Sequence, residues 1–184
     1  MPWANGRGVT AEICALPEAP DRWDWRLSIA DVSDDGPFSL LPGVDRHIAV
    51  VQGVGMALSI AGEAEQRVLF GSAALTFAGD VVTTCRLLDG PVLDLNLMVR
   101  RSCGVGALLI NHVPAGHSPT PDTLVGSHPH VAAIVVVQGL VHAESLSLTP
   151  FDALLIDAGE RLPDLEADTD SIIAVVTLQM KSGT

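Results

Sequence analysis

The chain has 184 residues, 48% of them hydrophobic, and its 22 acidic against 10 basic side chains give a net charge of −12. That charge repels nucleic acid and anionic membrane surfaces, so neither is expected as a partner. No apolar run approaches the roughly 20 residues a membrane helix needs, which predicts a soluble protein with a core of its own.

In chain order, the opening Met1-Pro2-Trp3-Ala4-Asn5-Gly6 lacks the basic and apolar regions of a secretion signal, so a cytoplasmic address is expected. Residues 11–16 form a short apolar segment ended by Pro17 and Pro20. From Trp23 to Ala30 the pattern alternates, with Trp25, Leu27 and Ile29 on one face and Arg26, Ser28 and Ala30 on the other. Turn signals around Gly36-Pro37 and Pro42-Gly43 precede strands at 46–51 and 56–60. Further strands follow at 65–70, 74–77 and 81–88, with Ala78-Gly79-Asp80 as a turn. Val92 to Val99 puts Asp94, Asn96 and Met98 on one face and Leu95, Leu97 and Val99 on the other. Polar groups are costly in an apolar layer without partners, so the Asp94 face should look into a wet or ligand-filled space.

Beyond Arg101 a strand at 106–113 leads into a long polar loop at 114–129, then strands at 131–138, 143–148, 153–156 and 171–180. No long amphipathic helical run occurs, which predicts an all-β fold. Val50-Val51-Gln52-Gly53 recurs as Val136-Val137-Gln138-Gly139, Ala78-Gly79-Asp80 as Ala158-Gly159-Glu160, and the strand at 92–99 has a counterpart at 172–179. Three matches in order predict an internal repeat, each half a small antiparallel unit whose apolar face needs closure or a partner. Residues 1–101 and 102–184 are the expected units.

Several ordered motifs carry a family resemblance: Pro2-Trp3, Asn5-Gly6, Trp25-Arg26 with Ser28-Ile29-Ala30, Gly36-Pro37-Phe38-Ser39, Pro42-Gly43, Asp45-Arg46, Gly79-Asp80, and Gly90-Pro91 with Asp94, Asn96-Leu97-Met98 and Arg100-Arg101. Together they resemble the HutD/Ves family, densely over residues 2–101 and weakly afterwards. Ala4 and Arg7 stand where that family commonly has lysine and glycine. The resemblance implies two cupin-type (RmlC-like) β-barrels in one chain, a bicupin. It also implies an accessory or regulatory part in histidine utilisation without catalysis, and a small anionic ligand such as urocanate or formylglutamate.

The expected ligand-binding residues are Arg26 and Ser28 from one strand, Arg46 from another, and Asp94 with Asn96. Arginine offers a planar fork of donors to a carboxylate, Ser28 and Asn96 complete its hydrogen bonds, and Asp94 orients an arginine. The competing reading is a buried Arg–Asp pair that closes the barrel without ligand. Trp3 and Asn5 form a softer group near the pocket, whereas Trp25 belongs in the packing.

Metal cupins use histidines with a carboxylate, so His128-Pro129-His130 marks an alternative, a metal-dependent cupin enzyme acting on a small metabolite. The carboxylate expected a few residues later is missing, and no cofactor or metal is expected. Cys14, Cys85 and Cys103 are odd in number without C-x-x-C spacing, which reads as idle thiols. Cys103 lies beside Arg100 and Arg101 but lacks an identifiable base. Gly53-Val54-Gly55 lacks the third glycine of a dinucleotide loop, and no Walker loop or G-x-S-x-G elbow is present. The alternating Asp164, Glu166, Asp168 and Asp170 read as a solvated edge that discourages strand pairing. Exposed β edges would permit a homodimer.

Overall fold

A computed structural model describes residues 10–17, 22–126 and 130–181. The alternating and apolar segments become sixteen strands, and the one helix among the described residues, α1 (Pro121–Val125), is a single turn capped by Thr120. No helix among these residues is long and apolar enough to cross a membrane. The fold is all-β, as the absence of helical periodicity predicts.

The chain divides into two compact units, one running to Val105 and including Met180 and Lys181, the other covering Gly106–Gln179. The first contains β1 (Thr10–Leu16), β2 (Trp25–Val32), β3 (Gly36–Pro37), β4 (Val44–Gln52), β5 (Gly55–Ile60), β6 (Gln66–Leu69), β7 (Leu75–Ala78), β8 (Thr83–Leu87) and β9 (Val92–Arg100). They form two sheets, in the orders β1-β2-β9-β4-β7 and β3-β8-β5-β6. Between them, Val32, Ile48, Val50 and Val92 of the first sheet meet Met56, Leu58, Val68 and Cys85 of the second.

The remaining strands are β10 (Gly104–Val113), β11 (Val131–Gln138), β12 (Val141–Ala143), β13 (Leu146–Leu148), β14 (Ala153–Leu155), β15 (Leu165–Ala167) and β16 (Ser171–Met180). Their sheets have the orders β10-β16-β11-β14 and β13-β12-β15. Ile134, Val136, Ile173 and Val175 from one and Val141, Ala143, Leu148 and Leu165 from the other make the core of this unit.

Closed barrels are not what the hydrogen bonding forms. Among the described residues the ladders make four open sheets, with one isolated parallel bridge, Val50 to Phe70, outside the named strands. The rim strands β6, β7, β13 and β14 have only three or four residues each, too few to carry a continuous ladder round the unit.

Three local readings change. Residues 143–148 are a hairpin, not one strand, because Glu144 adopts φ 54 and folds Leu146 back opposite Ala143. The acidic stretch after Pro163 contains β15, in which Leu165 and Ala167 are buried and Glu166 points outward, so half of the alternation is core. The polar loop contains α1, started by the Thr120 side chain accepting from Thr123 N–H.

Gly53 and Gly139 follow β4 and β11 with the same φ of +92°. A Cβ on Gly53 would stand 2.6 Å from the Pro91 carbonyl oxygen, and one on Gly139 2.9 Å from that of Asp170. Gly62, at φ +85°, has nothing within 4 Å of such an atom. Gly53→Ala should therefore cost about 2–4 kcal/mol in urea unfolding, while Gly62→Ala, which meets only the backbone penalty, should cost about 1 kcal/mol. Equal losses would show that the close approach to Pro91 contributes nothing.

Candidate functional site

Three neighbouring strands set the geometry. Across β2, β9 and β4 the register aligns Arg26, Met98 and Arg46 in one row, Ser28, Asn96 and Ile48 in the next, and Ala30, Asp94 and Val50 in a third. Residues directly opposite each other share a face, so Arg26, Ser28, Arg46, Asp94 and Asn96 all project from one side. That side carries Ile48 and Val50 into the core of the first unit. Phe77 of β7, opposite Arg46, joins it.

Arg46 is only 5% exposed. Its guanidinium lies 4.7 Å from the Phe38 ring centroid and 5.3 Å from that of Phe77, and the two rings stack 6.5 Å apart. The ring faces replace part of the hydration that burial removes. Burial nevertheless pulls Arg46 down to about 10, against the opposing charge of Asp94. Asp94, 1% exposed, is pushed up to about 6 by burial, with Arg46 and a hydrogen bond from Asn96 pulling the other way.

The donation from Asn96 points its amide nitrogen at Asp94 and leaves the amide oxygen as the free end. Arg46 Nε, Asp94 Oδ1 and Asn96 Oδ1 are all buried and have no hydrogen-bond partner among the described residues. Around Asp94, one donor and two acceptors thus stand unsatisfied among the described residues, with Arg26 Nε a further donor at the edge of the same face.

Ser28, also buried, sits between these groups and β1. Arg26 is further out, its side chain 18% exposed, with Nε 2.9 Å from Glu12 Oε2 of β1. That contact is an ion pair by distance, but the N–H direction misses the oxygen and leaves Nε without a hydrogen bond. Trp3 and Asn5 lie outside the described residues. Trp25 is buried on the other face of β2.

Sequence reasoning did not anticipate Phe38, Phe77 or Cys85 beside the polar groups. The chain has four phenylalanines and no tyrosine, so two phenylalanines beside one arginine is a concentrated use of aromatic surface. Cys85, 3.6 Å from Met56 Sδ, is pushed to about 12, mainly by burial, and stays a neutral thiol. His47 projects from the opposite face of β4. Its Nδ1 is 2.8 Å from Thr76 Oγ1, its Nε2 is buried without a partner among the described residues, and burial lowers its pKa.

The other motif arginines tie strand ends together. Arg101 binds both Asp45 and Asp80, and Arg100 donates to the Trp23 carbonyl at 2.6 Å while lying over the Trp23 ring. Asp80 is held below the usual carboxylate range by Arg101.

The first unit's inner face does not fit a metal ion. It offers a guanidinium, an amide, a hydroxyl and a single carboxylate with no imidazole, and any cation would sit beside Arg46. Elsewhere, His130 is exposed, His142 Nδ1 is 3.1 Å from Ser147 Oγ, and His128 lies outside the described residues. Among the described residues no three His, Cys, Asp or Glu side chains converge as a ligand set. The second unit carries a cleft of about 290 Å³ lined by His130, Asp157, Glu160 and Arg161, whose Arg161–Asp164 pair is almost fully exposed.

A carboxyl raised from its ordinary 3.8 to about 6 stabilises the fold while protonated, and that stabilisation is lost as pH rises through about 6. Asp80 and Asp152, both lowered, contribute only losses at more acid pH, and the His47 contribution is common to wild type and variant. Urea unfolding between pH 4 and 7 should show wild type losing about 1–3 kcal/mol relative to Asp94→Asn. A pH-independent difference would mean that Asp94 is not the buried acid.

The HutD family profile matches residues 1–175. An uncharacterized 21.2 kDa protein in the hutC 3′ region of Pseudomonas putida is 43% identical over 99 residues, 53% of this chain and 52% of that protein. Protein Ves of Citrobacter koseri is 42% identical over 100 residues, covering 54% and 52%. The chain spans about half the length of the curated relatives it matches. The solved structure of HutD from Pseudomonas fluorescens SBW25 superposes with a TM-score of 0.78 at 30% identity, covering 99% of this chain and 94% of that one. A cupin 2 conserved barrel domain protein from Leptotrichia buccalis gives 0.59 at 11% identity over 94% and 89%, a likeness of fold alone. The architecture is cupin-like, and the chain belongs to the HutD family.

Proposed function

We propose that this chain is a non-catalytic receptor for a small carboxylate, cytoplasmic and accessory or regulatory to histidine breakdown, with urocanate or formylglutamate as the ligand class. The carrying observation is the set of unpaired buried atoms, Arg46 Nε, Asp94 Oδ1 and Asn96 Oδ1, on one face of the first unit. A pair that only closed the core would satisfy itself, whereas an unmade buried hydrogen bond costs about 1–3 kcal/mol. Arg46 supplies the donor for a carboxylate, and Asn96 Oδ1 asks for an N–H or O–H on the same ligand. Formylglutamate and urocanate carry both kinds of group. The family membership and the hutC-adjacent relative support the pathway.

In this reading the chain is two cupin units, of which the first is the receptor. The strand orders β2-β9-β4-β7 and β10-β16-β11-β14 correspond, as do β8-β5-β6 and β15-β12-β13. Val50 lies opposite Asp94, and Val136 of the recurring Val-Val-Gln-Gly lies opposite Ile173. The position of Asn96, opposite Ile48, is taken by Val175, opposite Ile134. The same plan is therefore filled with hydrocarbon in the second unit, so the fold does not require polar groups there.

Calorimetry with urocanate, formylglutamate, glutamate and formate tests the proposal. At least one of the first two should bind more tightly than formate, which lacks a donor for Asn96. Arg46→Ala should weaken binding at least tenfold, and Asn96→Leu should narrow the preference over formate. No heat with any of them, or binding unchanged in Arg46→Ala, would sink the receptor reading.

A further inference from the structure

The unpaired atoms also constrain the charge state in which a ligand can enter. Arg46 and Asp94 sense each other's charge, and with Asp94 ionised they make the buried face neutral overall. Burying one ligand carboxylate beside that neutral pair leaves one uncompensated negative charge in a core where Asp94 is 1% exposed and Arg46 5%, and the second carboxylate of formylglutamate, which the pair does not neutralise, has to stay in solvent. Such a charge costs several kcal/mol after relaxation. A proton on Asp94 removes the imbalance and turns its unpaired Oδ1 from an acceptor that would repel a carboxylate into a donor that can bind one.

We infer that the first unit binds its carboxylate together with one proton, which Asp94 takes from solvent, so that the bound state is a carboxylate held between the Arg46 guanidinium and the Asp94 carboxylic acid. The inference rests on the receptor reading above and deepens it. The step balances: a solvent proton adds to Asp94, the ligand carboxylate stays ionised against Arg46, and no covalent bond to the ligand forms or breaks.

The surroundings leave Asp94 as the group that takes the proton. Facing it are Arg46 from β4 and Cys85 from β8, with Arg26 of β2 further out and already beside Glu12 of β1. Met56 of β5, Val68 of β6 and Phe77 of β7 bring no titrating group, and Asp35, ahead of β3, acts on Cys85. Arg46 and Cys85 keep their protons through neutral pH, at about 10 and about 12. His47 lies on the reverse face of β4. Asp94 alone, at about 6, changes state in the range where the ligand remains an anion.

The experiment is calorimetry of the full chain with formylglutamate, formate and urocanate, from pH 5.5 to 8. Running pH 7.5 in phosphate and in Tris, whose heats of ionisation differ, measures protons taken up per ligand bound. At pH 7.5 close to one proton should be taken up, and the affinity should fall about tenfold per pH unit above 6.5. Asp94→Asn should bind formylglutamate at least tenfold more tightly than wild type at pH 7.5, with no proton uptake. Wild-type binding without proton uptake, and with an affinity flat across pH, overturns this inference and leaves the receptor intact. Absence of binding by formylglutamate, formate and urocanate at every pH overturns both. The wild-type proton count decides the matter even if the Asp94→Asn chain does not fold.

Discussion

A guanidinium sunk into a β core governs the first unit. Taking Arg46 out of water costs several kcal/mol, and its contacts with Phe38 and Phe77 return roughly 1–2 kcal/mol each at most. The charge of Asp94 offsets more of the cost, but Asp94 bears a desolvation penalty of its own, visible in its upward shift. Arg46 Nε, Asp94 Oδ1 and Asn96 Oδ1 have no hydrogen-bond partner among the described residues, and a buried polar group left so costs about 1–3 kcal/mol. Such costs are large beside the 5–15 kcal/mol that stabilises a typical domain. In the proposed receptor, the last partners of these atoms arrive with the ligand, and the proton on Asp94 with them.

Much of that site is written locally in the chain. The alternation of Asp94 and Asn96 with Leu95 and Leu97 separates a polar from an apolar face, and β2 shows the same split at Arg26 and Ser28. Those faces coincide because antiparallel register aligns Ser28 with Asn96 and with Ile48. The aromatic pair was less legible. Phe38 sits in a turn motif and Phe77 in a four-residue strand, and only the pairing of β7 with β4 puts Phe77 opposite Arg46. Cross-strand register depends on distant residues, so no window of sequence reports it.

The same limit explains the other departures. Nine arginines and one lysine carry all the positive side-chain charge, and composition cannot sort them. Arg46 goes inward, Arg26 lies beside Glu12, and Arg100 and Arg101 secure the end of β9 to Trp23, Asp45 and Asp80. Four acidic residues from 164 to 170 hid β15, because Leu165 and Ala167 between them are core although their neighbours face solvent. Charge pattern reported the outer face of that strand correctly and concealed the inner one. Closure of a sheet into a barrel is further still from the sequence, since it depends on rim strands long enough to pair all the way round.

The contrast between the two units sharpens what the polar face is for. β9 and β16 occupy the same place between their neighbours, yet where β9 carries Asp94 and Asn96, β16 carries Ile173 and Val175, all fully or almost fully buried. Ala132 stands where the shared motif would place Arg46, four residues before its final valine-valine pair begins. Hydrocarbon at those positions gives the second unit a continuous core of Ile134, Val136, Ile173 and Val175, the ordinary solution to packing two sheets. The second unit thus fills the matching strand positions without charge. The polar residues of the first unit depart from that packing, and in the proposed receptor Arg46, Asp94 and Asn96 are the smallest set that serves recognition.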